Sequence, residues 1–450
     1  MKNSKRIIFG IFFLAVLIFC LVSCNSDDAE SPTFSGETHT LNVYNWGEYI
    51  SDGFEGAADT NKDFEKYFNE NLAQKYGYYI QVNYTTYANN EEMYTKIKSG
   101  AGIYDIVVPS DYMIQKMANE GLLLSYDVAG DIENYRHIDE KFRGMEYDPE
   151  EQYTVPYTYG MLGVIYNSNL VDPEDVEDES WGLLWNPKYK GKILQFNNPR
   201  DAFGTAMYYQ GLDINSTDTA VWDEAFNVLS AQKPLVQGYV NDEIFNKMTT
   251  ASAAIAPYYA GDYLTMAAQE EALSFYYPTE GTNFFVDAFC ILKNAREPEV
   301  AKEYINFMLM EEAGTANALY VGYACPNNLV KNSETYKSEL ADYLGEDAYD
   351  ILYGTEPDVI NAEYMEKYGV AYYKMFSEEI QAHVNTLWEG LKTENSTELW
   401  VHITSIAIVV GVLSYAIYDL YIKKKRSRDY RLRDKNKKKA YEKSTLPEMR

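Results

Sequence analysis

Cysteine and histidine are both scarce in this sequence of 450 residues, which contains four of each. Two of the cysteines lie in the N-terminal region, which leaves Cys290 and Cys325 for the rest of the chain. One possible pair excludes a disulfide-rich scaffold, and we expect two small buried thiols rather than a disulfide bond. The histidines show no metal-ligand spacing, and none stands beside a plausible nucleophile; they are His39, His137, His383 and His402.

Catalytic sequence motifs are also lacking. The GxSxG, HExxH, Walker A and dinucleotide-binding glycine patterns do not occur in the chain. Each of these patterns marks a nucleophile, a zinc site or a phosphate-binding loop. We therefore expect a protein that is not an enzyme and that has no cofactor and no metal site.

Basic residues are few between the two ends of the chain. Residues 25–422 contain 23 Lys and Arg against 64 Asp and Glu, a balance of −41. Such a charge repels nucleic acid and raises the local concentration of cations, so nucleic acid is not an expected partner. A solvated surface explains the same bulk charge, and composition alone leaves both interpretations open.

The N-terminal stretch MKNSKRIIFGIFFLAVLIFCLVSCNSDD is typical of an export signal. Three basic residues among the first six precede an apolar run that ends at Cys20. The stretch LVSC then resembles a bacterial lipobox, which predicts a lipoprotein signal peptide over residues 1–24 with Cys24 as the lipidated residue. A non-lipidated signal peptide and a plain anchor helix are the alternatives. Residues 25–39 are predicted to form a polar linker.

A second apolar run, LWVHITSIAIVVGVLSYAIYDLYI, lies near the other end. As a helix its residues 401–418 would extend ~27 Å at ~1.5 Å per residue, close to a hydrocarbon core of ~30 Å. We expect a transmembrane helix over residues 399–422, with a buried core helix as the alternative. Residues 423–450 contain 13 basic and four acidic residues, which predicts a basic cytoplasmic tail near anionic lipid headgroups. The protein is thus expected at a bacterial cytoplasmic membrane, with its main part on the extracytoplasmic face.

Strand-like and helix-like segments alternate between the two ends. LNVYNW, YYIQVNYTTY and YDIVVPS are rich in β-formers, whereas KDFEKYFNENLAQKYG, NNEEMYTKIKSG and DYMIQKMANEGLL have helical periodicity. The alternation predicts an α/β fold, and about 350 residues exceed one typical core, so two domains are expected. Ligands of open α/β sheets bind beyond the carboxyl ends of strands, and NWGEY, PSDY, FNNPRD, YYAGDY and VDAF follow or end strand-like runs.

Tyrosine is unusually common, with 43 residues, and several tyrosines lie beside carboxylates at these predicted strand ends. A ring face attracts an ammonium group by ~0.5–2 kcal/mol, and a charge-assisted hydrogen bond to a carboxylate contributes ~1.5–3 kcal/mol. Two or three rings with two carboxylates would suffice for micromolar capture of a small polycation, ~8 kcal/mol. For VYNWGEYI, at the end of the first predicted strand, core packing and a sugar platform are the other interpretations.

Several blocks in order along the chain resemble one known family. They are VYNWGEYI, EEMYTKIKSGAGIYDIVVPSDYMIQKMANEGLL, YTVPYTYGMLGVIYN, SWGLLWNPKYKGKI, PTEGTNFFVDAF and GYACPNN. Together, over residues 40–390, they look like the extracytoplasmic polyamine-binding proteins, which feed ATP-binding-cassette (ABC) importers of spermidine and putrescine.

This resemblance implies a periplasmic-binding-protein-like fold of two α/β lobes joined by crossover strands, with a ligand cleft between them. Lobe 1 would comprise residues 40–160 with 286–329, and lobe 2 residues 161–285 with 330–392. It also implies a monomeric receptor whose partners are a polyamine and the permease subunits of the importer.

The resemblance also assigns ligand-binding positions, one by one. In lobe 1 it places them at Trp46, Tyr49, Ser110, Tyr112, Asp287 and Tyr323. At the less well matched positions it places them at Asn198, Asp201, Asn241, Tyr259 and Phe285. Asn198 stands where the family often has a second acid, which leaves the preferred polyamine open.

Two other functions stay open at this point. A ferric-iron receptor would use neighbouring tyrosines, and the adjacent pairs Tyr258–Tyr259 and Tyr276–Tyr277 supply such neighbours. A membrane-tethered surface protein without a small ligand is the third possibility.

Overall fold

A computed structural model of the chain describes residues 34–354, 369–393, 408–418, 420–425 and 435. The predicted signal peptide, Cys24 and most of the predicted linker lie outside the described residues, as does nearly all of the predicted basic tail. The first strand begins at Thr38, inside the linker range.

The described part of the chain contains nine strands, which join in one continuous sheet. They are β1 (Thr38–Trp46), β2 (Tyr79–Tyr87), β3 (Ile106–Val107), β4 (Thr154–Asn167), β5 (Ile193–Phe196), β6 (Val236–Val240), β7 (Ile255–Tyr259), β8 (Leu273–Tyr276) and β9 (Phe284–Ile291).

Helices connect these strands. The α-helices are α1 (Thr60–Asn71), α2 (Ala73–Tyr76), α3 (Asn90–Lys98), α4 (Asp111–Asn119), α5 (Val128–Asp131), α6 (Pro199–Gln210), α7 (Thr219–Gln232), α8 (Glu243–Thr249), α9 (Ala260–Ala267), α10 (Pro298–Met308), α11 (Glu311–Val321), α12 (Asn328–Lys331), α13 (Glu334–Leu344), α14 (Ala348–Tyr353) and α15 (Glu378–Thr393). Short 3-10 turns lie at Phe54–Gly56, Glu133–His137, Glu140–Phe142, Pro173–Asp175, Trp181–Trp185, Pro187–Tyr189 and Lys233–Leu235.

The sheet divides into two halves at its longest strand. The strand order is β2-β1-β3-β9-β4-β7-β5-β6, with β8 paired to β4. Residues Thr154 to Met161 of β4 pair with β9, whereas Leu162 to Asn167 pair with β7 and β8. Strand β4 therefore crosses from one half to the other. We call the half that contains β1, β2, β3 and β9 the first lobe, and the half that contains β5 to β8 the second lobe; the predicted two-lobed α/β fold is confirmed.

Burial and capping explain the local elements. All eight residues of β9 are buried, because this strand lies between β3 and β4 and helices α4 and α10 pack against it. In α1, Phe64 and Phe68 are buried one turn apart, and the Asp59 side chain accepts a hydrogen bond from the backbone N–H of Lys62. The predicted helix to Gly77 is split at Leu72, and α2 ends at Tyr76 with Gly77 as its C-cap, where a φ of 88° suits glycine.

The predicted transmembrane helix is not confirmed. Among the described residues, no helix is both long enough and apolar enough to cross a membrane. Of the range 399–422, residues 399–407 and 419 lie outside the described part, and residues 408–418 and 420–422 are helical.

The two cysteines of the main part of the chain are free thiols. Cys290 is buried in β9, and Cys325 is partly buried. This agrees with the expectation that they do not form a disulfide bond.

Candidate ligand-binding cavity

Five parallel strand ends bring polar and aromatic residues to the boundary between the lobes. In the first lobe, β1 ends at Trp46, and Ser110 caps α4 shortly after β3. In the second lobe, Asn198 caps α6 just after β5, Asn241 follows β6, and Tyr259 ends β7. The carboxyl ends of the two sets of parallel strands thus meet at one cleft, as expected for an open α/β sheet.

A cavity occupies this cleft. Its empty volume is about 830 Å³, including space open to solvent, and both lobes contribute to its lining. All eleven residues that the resemblance singled out line it: Trp46, Tyr49, Ser110, Tyr112, Asn198, Asp201, Asn241, Tyr259, Phe285, Asp287 and Tyr323. The structure therefore brings together residues that are up to 277 positions apart in the sequence.

Asp287 lies at the first-lobe side of the cavity, on strand β9. Its Oδ2 accepts a hydrogen bond of 2.7 Å from the Tyr49 hydroxyl, which also contacts the hydroxyl of Thr158. The other carboxylate oxygen, Oδ1, is buried and has no partner among the described residues. Burial raises the pKa of Asp287 to about 6, the nearby Asp201 charge adds to the rise, and side-chain hydrogen bonding by Ser110 and by Tyr49 opposes part of it.

Asp201 is the corresponding carboxylate of the second lobe, in the first turn of α6. Its Oδ2 accepts hydrogen bonds of 2.6 Å from both the Asn198 amide and the Tyr259 hydroxyl. Burial raises the pKa of Asp201 to about 6. Asn198 accepts from the backbone N–H groups of Arg200 and Asp201 through its own Oδ1, so both its amide oxygen and its amide nitrogen have partners within the protein.

Two further buried acids line the cavity, in addition to the predicted binding positions. Asp111 begins α4, and its Oδ1 accepts from the backbone N–H of Tyr112 at 2.7 Å. Asp262 lies in the first turn of α9, and its Oδ2 accepts a hydrogen bond of 2.7 Å from the Tyr323 hydroxyl. Burial raises the pKa of each to about 8, so both titrate near neutral pH.

Aromatic rings pack edge to face around these acids. Ring centroids are 5.1 Å apart for Tyr49 and Tyr323, 5.4 Å for Tyr259 and Phe285, and 6.1 Å for Phe285 and Tyr323. Trp46 is held by a hydrogen bond from its indole N–H to the carbonyl of Val108. Such rings offer faces to a cation without needing a charged side chain at every position.

Some residues of the site gave no sequence signal, or a weak one. Arg200 is buried and lines the cavity, and its guanidinium lies 4.4 Å from the Tyr373 ring centroid and 3.7 Å from that of Phe376. Arg200 stands in the quoted stretch FNNPRD, so its position could have been noted. Tyr373 also lines the cavity. It follows no strand and lies far along the chain from the other site residues, so no sequence pattern indicated it.

The mouth of the cavity brings acids from the two lobes close together. A side chain at Gly47 would meet the Asp242 carboxylate at 2.4 Å, so glycine permits this approach of the lobes. Glu48 is exposed and has a φ of 49°. Burial raises the pKa of Glu48 and of Asp242, and the neighbouring Asp242 charge adds to the rise at Glu48.

The arrangement suits a cation. Among the described residues that line the cavity, six are acidic and one, Arg200, is basic; the acids are Glu48, Asp111, Asp201, Asp242, Asp262 and Asp287. A buried carboxylate without a positive partner is unstable, so the charge of an ammonium ligand would compensate for the burial that raises these pKa values.

The structure does not support the tyrosine-based iron site. Tyr258 and Tyr259 line the cavity, but burial raises the pKa of both hydroxyls, which opposes phenolate formation. Tyr276 and Tyr277 do not line it; their hydroxyls donate to the carbonyls of Ser180 and Ile351.

Two lobes linked by a crossing strand, with a polar and aromatic cavity between them, are the architecture of a solute-binding protein. Comparison with known proteins leads to the same class. Residues 101–347 match the sequence pattern of a family described as "Bacterial extracellular solute-binding protein". The chain belongs to this family.

Several characterised proteins are similar to this chain. The spermidine/putrescine-binding periplasmic protein of Escherichia coli is 30% identical over 298 residues, which cover 66% of this chain and 80% of that protein. A solved putative spermidine/putrescine ABC transporter protein from Listeria monocytogenes is 29% identical, with a TM-score of 0.66, and the match covers 79% of this chain and 99% of that one. The spermidine/putrescine substrate-binding protein PotD of Streptococcus pneumoniae is 32% identical, with a TM-score of 0.59 and coverage of 78% and 98%.

Proposed function

We propose that this protein captures polyamines, of the putrescine and spermidine class, outside the cell and delivers them to an ABC permease. The observation that carries the proposal is the cavity between the lobes, where buried carboxylates outnumber the single guanidinium and aromatic rings surround them. The names of the similar proteins from Escherichia coli and Streptococcus pneumoniae support the same ligand class.

The free Oδ1 atom of Asp287 gives an ammonium group a buried acceptor. A charge-assisted hydrogen bond there contributes ~1.5–3 kcal/mol, and each ring face adds ~0.5–2 kcal/mol. A flexible aliphatic diamine can place its second ammonium near Asp201 or Asp262 in the other lobe. The ligand would then hold the two lobes together.

Lobe closure follows from this bridging role. We propose that the lobes comprise residues 40–160 with 286–329 and residues 161–285 with 330–392, and that they move about the crossover at β4. A ligand that contacts both lobes binds the closed state better than the open one and shifts the population toward it. The closed monomer would be the form that the permease recognises.

Titration calorimetry of the purified full-length chain tests the proposed function. We expect heat and a dissociation constant in the micromolar range or below for putrescine, spermidine or spermine. The control ligand is 1,4-butanediol, which has the carbon chain of putrescine without its charges and should not bind. Absence of binding to all three polyamines would overturn the proposal, and a tyrosinate absorption band with ferric citrate would favour the iron receptor instead.

We further propose that the protein is attached to the extracytoplasmic face of the membrane through a lipid on Cys24 and a transmembrane helix over residues 399–422. The LVSC stretch and the basic residues 423–450 support this topology, as do the exposed apolar side chains Ile408, Val409, Val412 and Leu413. Palmitate labelling should be lost in Cys24→Ser, and the C-terminal tail should resist protease added to spheroplasts. Labelling of Cys24→Ser, or a tail cleaved in intact spheroplasts, would contradict the respective half of the proposal.

A further inference from the structure

Three hydroxyl and carboxyl groups form a chain beside the cavity. Thr158 lies on β4 directly opposite Asp287 on β9, since the two residues are partners in the strand register, next to an irregularity between Pro156 and Thr158. The Tyr49 hydroxyl lies between them, in contact with the Thr158 hydroxyl and 2.7 Å from Asp287 Oδ2. Thr158 is buried, with 4% of its surface exposed.

The direction of the protons in this chain follows from donor counts. An ionised carboxylate only accepts hydrogen bonds, so the single Tyr49 proton is donated to Asp287. The Tyr49 oxygen can then only accept from Thr158, whose own proton therefore points toward Tyr49. The order of donation is Thr158 to Tyr49 to Asp287 Oδ2, which leaves Asp287 Oδ1 without a partner.

The backbone of Tyr49 is fixed by the same part of the fold. The hydroxyl of Tyr157, the neighbour of Thr158 on β4, donates to the Tyr49 carbonyl at 2.6 Å. Asn317 on α11 donates to the Tyr157 hydroxyl at 2.8 Å and accepts from the backbone N–H of Ser51 at 3.0 Å. Tyr49 is thus held at both ends, and rotation of its hydroxyl is the main freedom left.

We infer that Thr158 is a positioning residue for the ligand site: its hydroxyl directs the Tyr49 proton to Asp287 Oδ2 and keeps Oδ1 open for the ligand's ammonium group. Thr158 does not need to touch the ligand for this role. The part that concerns the ammonium group rests on the proposed polyamine-binding function. The effect on Asp287 itself does not, because it exists in the ligand-free protein.

Removal of the Thr158 hydroxyl weakens the donor that faces Asp287. Without a proton donated to its oxygen, Tyr49 is a poorer donor, because hydrogen bonds in a chain strengthen one another. The ionised form of Asp287 loses stabilisation, so its pKa rises. The other titratable groups that interact with Asp287 are not substituted in the single Thr158 variants: Tyr49 after β1, Tyr87 on β2, Asp111 on α4, Tyr157 on β4 and Asp201 on α6.

The test is the titration of the Asp287 carboxyl carbon by NMR in the ligand-free, full-length chain, with the resonance assigned from Asp287→Asn. We expect Thr158→Val to raise the pKa of Asp287 by about half a pH unit and Thr158→Ser to restore it. Thr158→Ala replaces the valine variant if that one does not fold. The matched control is Thr154→Val on the same strand, whose hydroxyl donates to Asp148 instead; it should leave the pKa of Asp287 unchanged.

A double variant shows whether Thr158 acts through Tyr49. In a Tyr49→Phe background the relay is already broken, so Thr158→Val should cause no further rise. An unchanged pKa of Asp287 in Thr158→Val, or an equal rise in the Tyr49→Phe background, would overturn the inference.

Putrescine titrations of the same proteins connect the relay to binding. Near pH 6, Thr158→Val should bind putrescine about two- to threefold more weakly than the wild type, as follows from the smaller ionised fraction of Asp287. At pH 8 the difference should be smaller, because Asp287 is ionised in both proteins. A wild-type protein that binds no polyamine would overturn the proposed function and leave the pKa comparison valid. Binding by the wild type with equal affinity loss at both pH values would show that Thr158 acts only on stability or shape.

Discussion

At the scale of single residues, the cavity depends on carboxylates kept out of water. Asp287 and Asp201 each accept at least one hydrogen bond from a hydroxyl or amide group. Burial still raises the pKa of each carboxyl to about 6. Donors inside the protein therefore replace only part of the lost hydration. Under the proposed function an ammonium ligand would supply the remaining stabilisation, so we expect substitutions of these side chains to affect binding more than folding.

Asp287→Asn removes the charge but keeps the size of the side chain. We expect putrescine binding to weaken by about ten- to 150-fold, which corresponds to the loss of one charge-assisted hydrogen bond of ~1.5–3 kcal/mol. The ligand-free protein should not lose stability at pH 8, because a buried uncompensated charge is removed. Titration calorimetry and thermal unfolding measure the two effects.

The control for this prediction is Asp172→Asn, an exposed carboxylate that pairs with Lys188 far from the cavity lining. It changes the net charge equally and should leave affinity unchanged. Wild-type affinity in Asp287→Asn would show that the ligand does not use this carboxylate.

At the scale of elements, three helices begin at the cavity with an aspartate in the first turn. Asp111, Asp201 and Asp262 hold this position in α4, α6 and α9. A helix N-terminus carries partial positive charge, which by itself would repel a cationic ligand. Each aspartate, once ionised, places a negative charge at its helix start and offsets this partial positive charge, so the same helices that frame the site could accept an ammonium group.

Gly261→Ala tests how closely α9 must approach the rest of the site. A Cβ at this position would meet ring atoms of Tyr323 at 2.5 to 2.8 Å, and the ring carries the hydroxyl that donates to Asp262. We expect the unfolding free energy to fall by ~1–3 kcal/mol through overpacking and polyamine affinity to fall with it. Denaturant unfolding and calorimetry give these values.

Gly238→Ala on β6 is the matched control, because nothing lies within 4 Å of a Cβ placed there. Its stability and affinity should stay close to those of the wild type. If Gly261→Ala behaves like this control, Tyr323 can move aside and its position does not determine binding.

At the scale of the whole molecule, titration of the buried acids links pH to both stability and binding. Four carboxyls have folded pKa values of about 6 to about 8, above the ~3.9 of an unfolded aspartate. Between these values the folded state holds more protons than the unfolded one. The contribution of these groups to stability is therefore greatest at low pH and is lost as the pH rises from about 4 to about 8.

Ligand binding has the opposite pH dependence, because an ammonium ligand requires ionised carboxylates. We expect the increase in thermal midpoint caused by putrescine to be small near pH 5 and to grow up to about pH 8. Thermal unfolding with and without putrescine over pH 5 to 9 measures it, with 1,4-butanediol as the uncharged control. A ligand-induced increase that is equal at pH 5 and pH 8 would contradict the role of these acids.

Some features of the protein were determined by the sequence on its own. Alternating periodicity gave the strands and helices, because burial patterns of period two and 3.6 are local properties of the chain. The residues after the strands could also be placed near a cleft, because parallel strands direct their carboxyl ends to the same edge. In VYNWGEYI, this rule separates Trp46 and Tyr49, which line the cavity, from Tyr44, which is fully buried.

Only the tertiary structure decided which distant groups meet. Arg200 against Tyr373, Tyr323 against Asp262, and Thr158 against Tyr49 are contacts between elements far apart in the chain. Hydrogen-bond partners and pKa values depend on burial and on distances of a few ångströms, which no local pattern specifies. The sequence therefore indicated a receptor for cations, whereas the three-dimensional packing decided which carboxylate oxygen is left free to bind one.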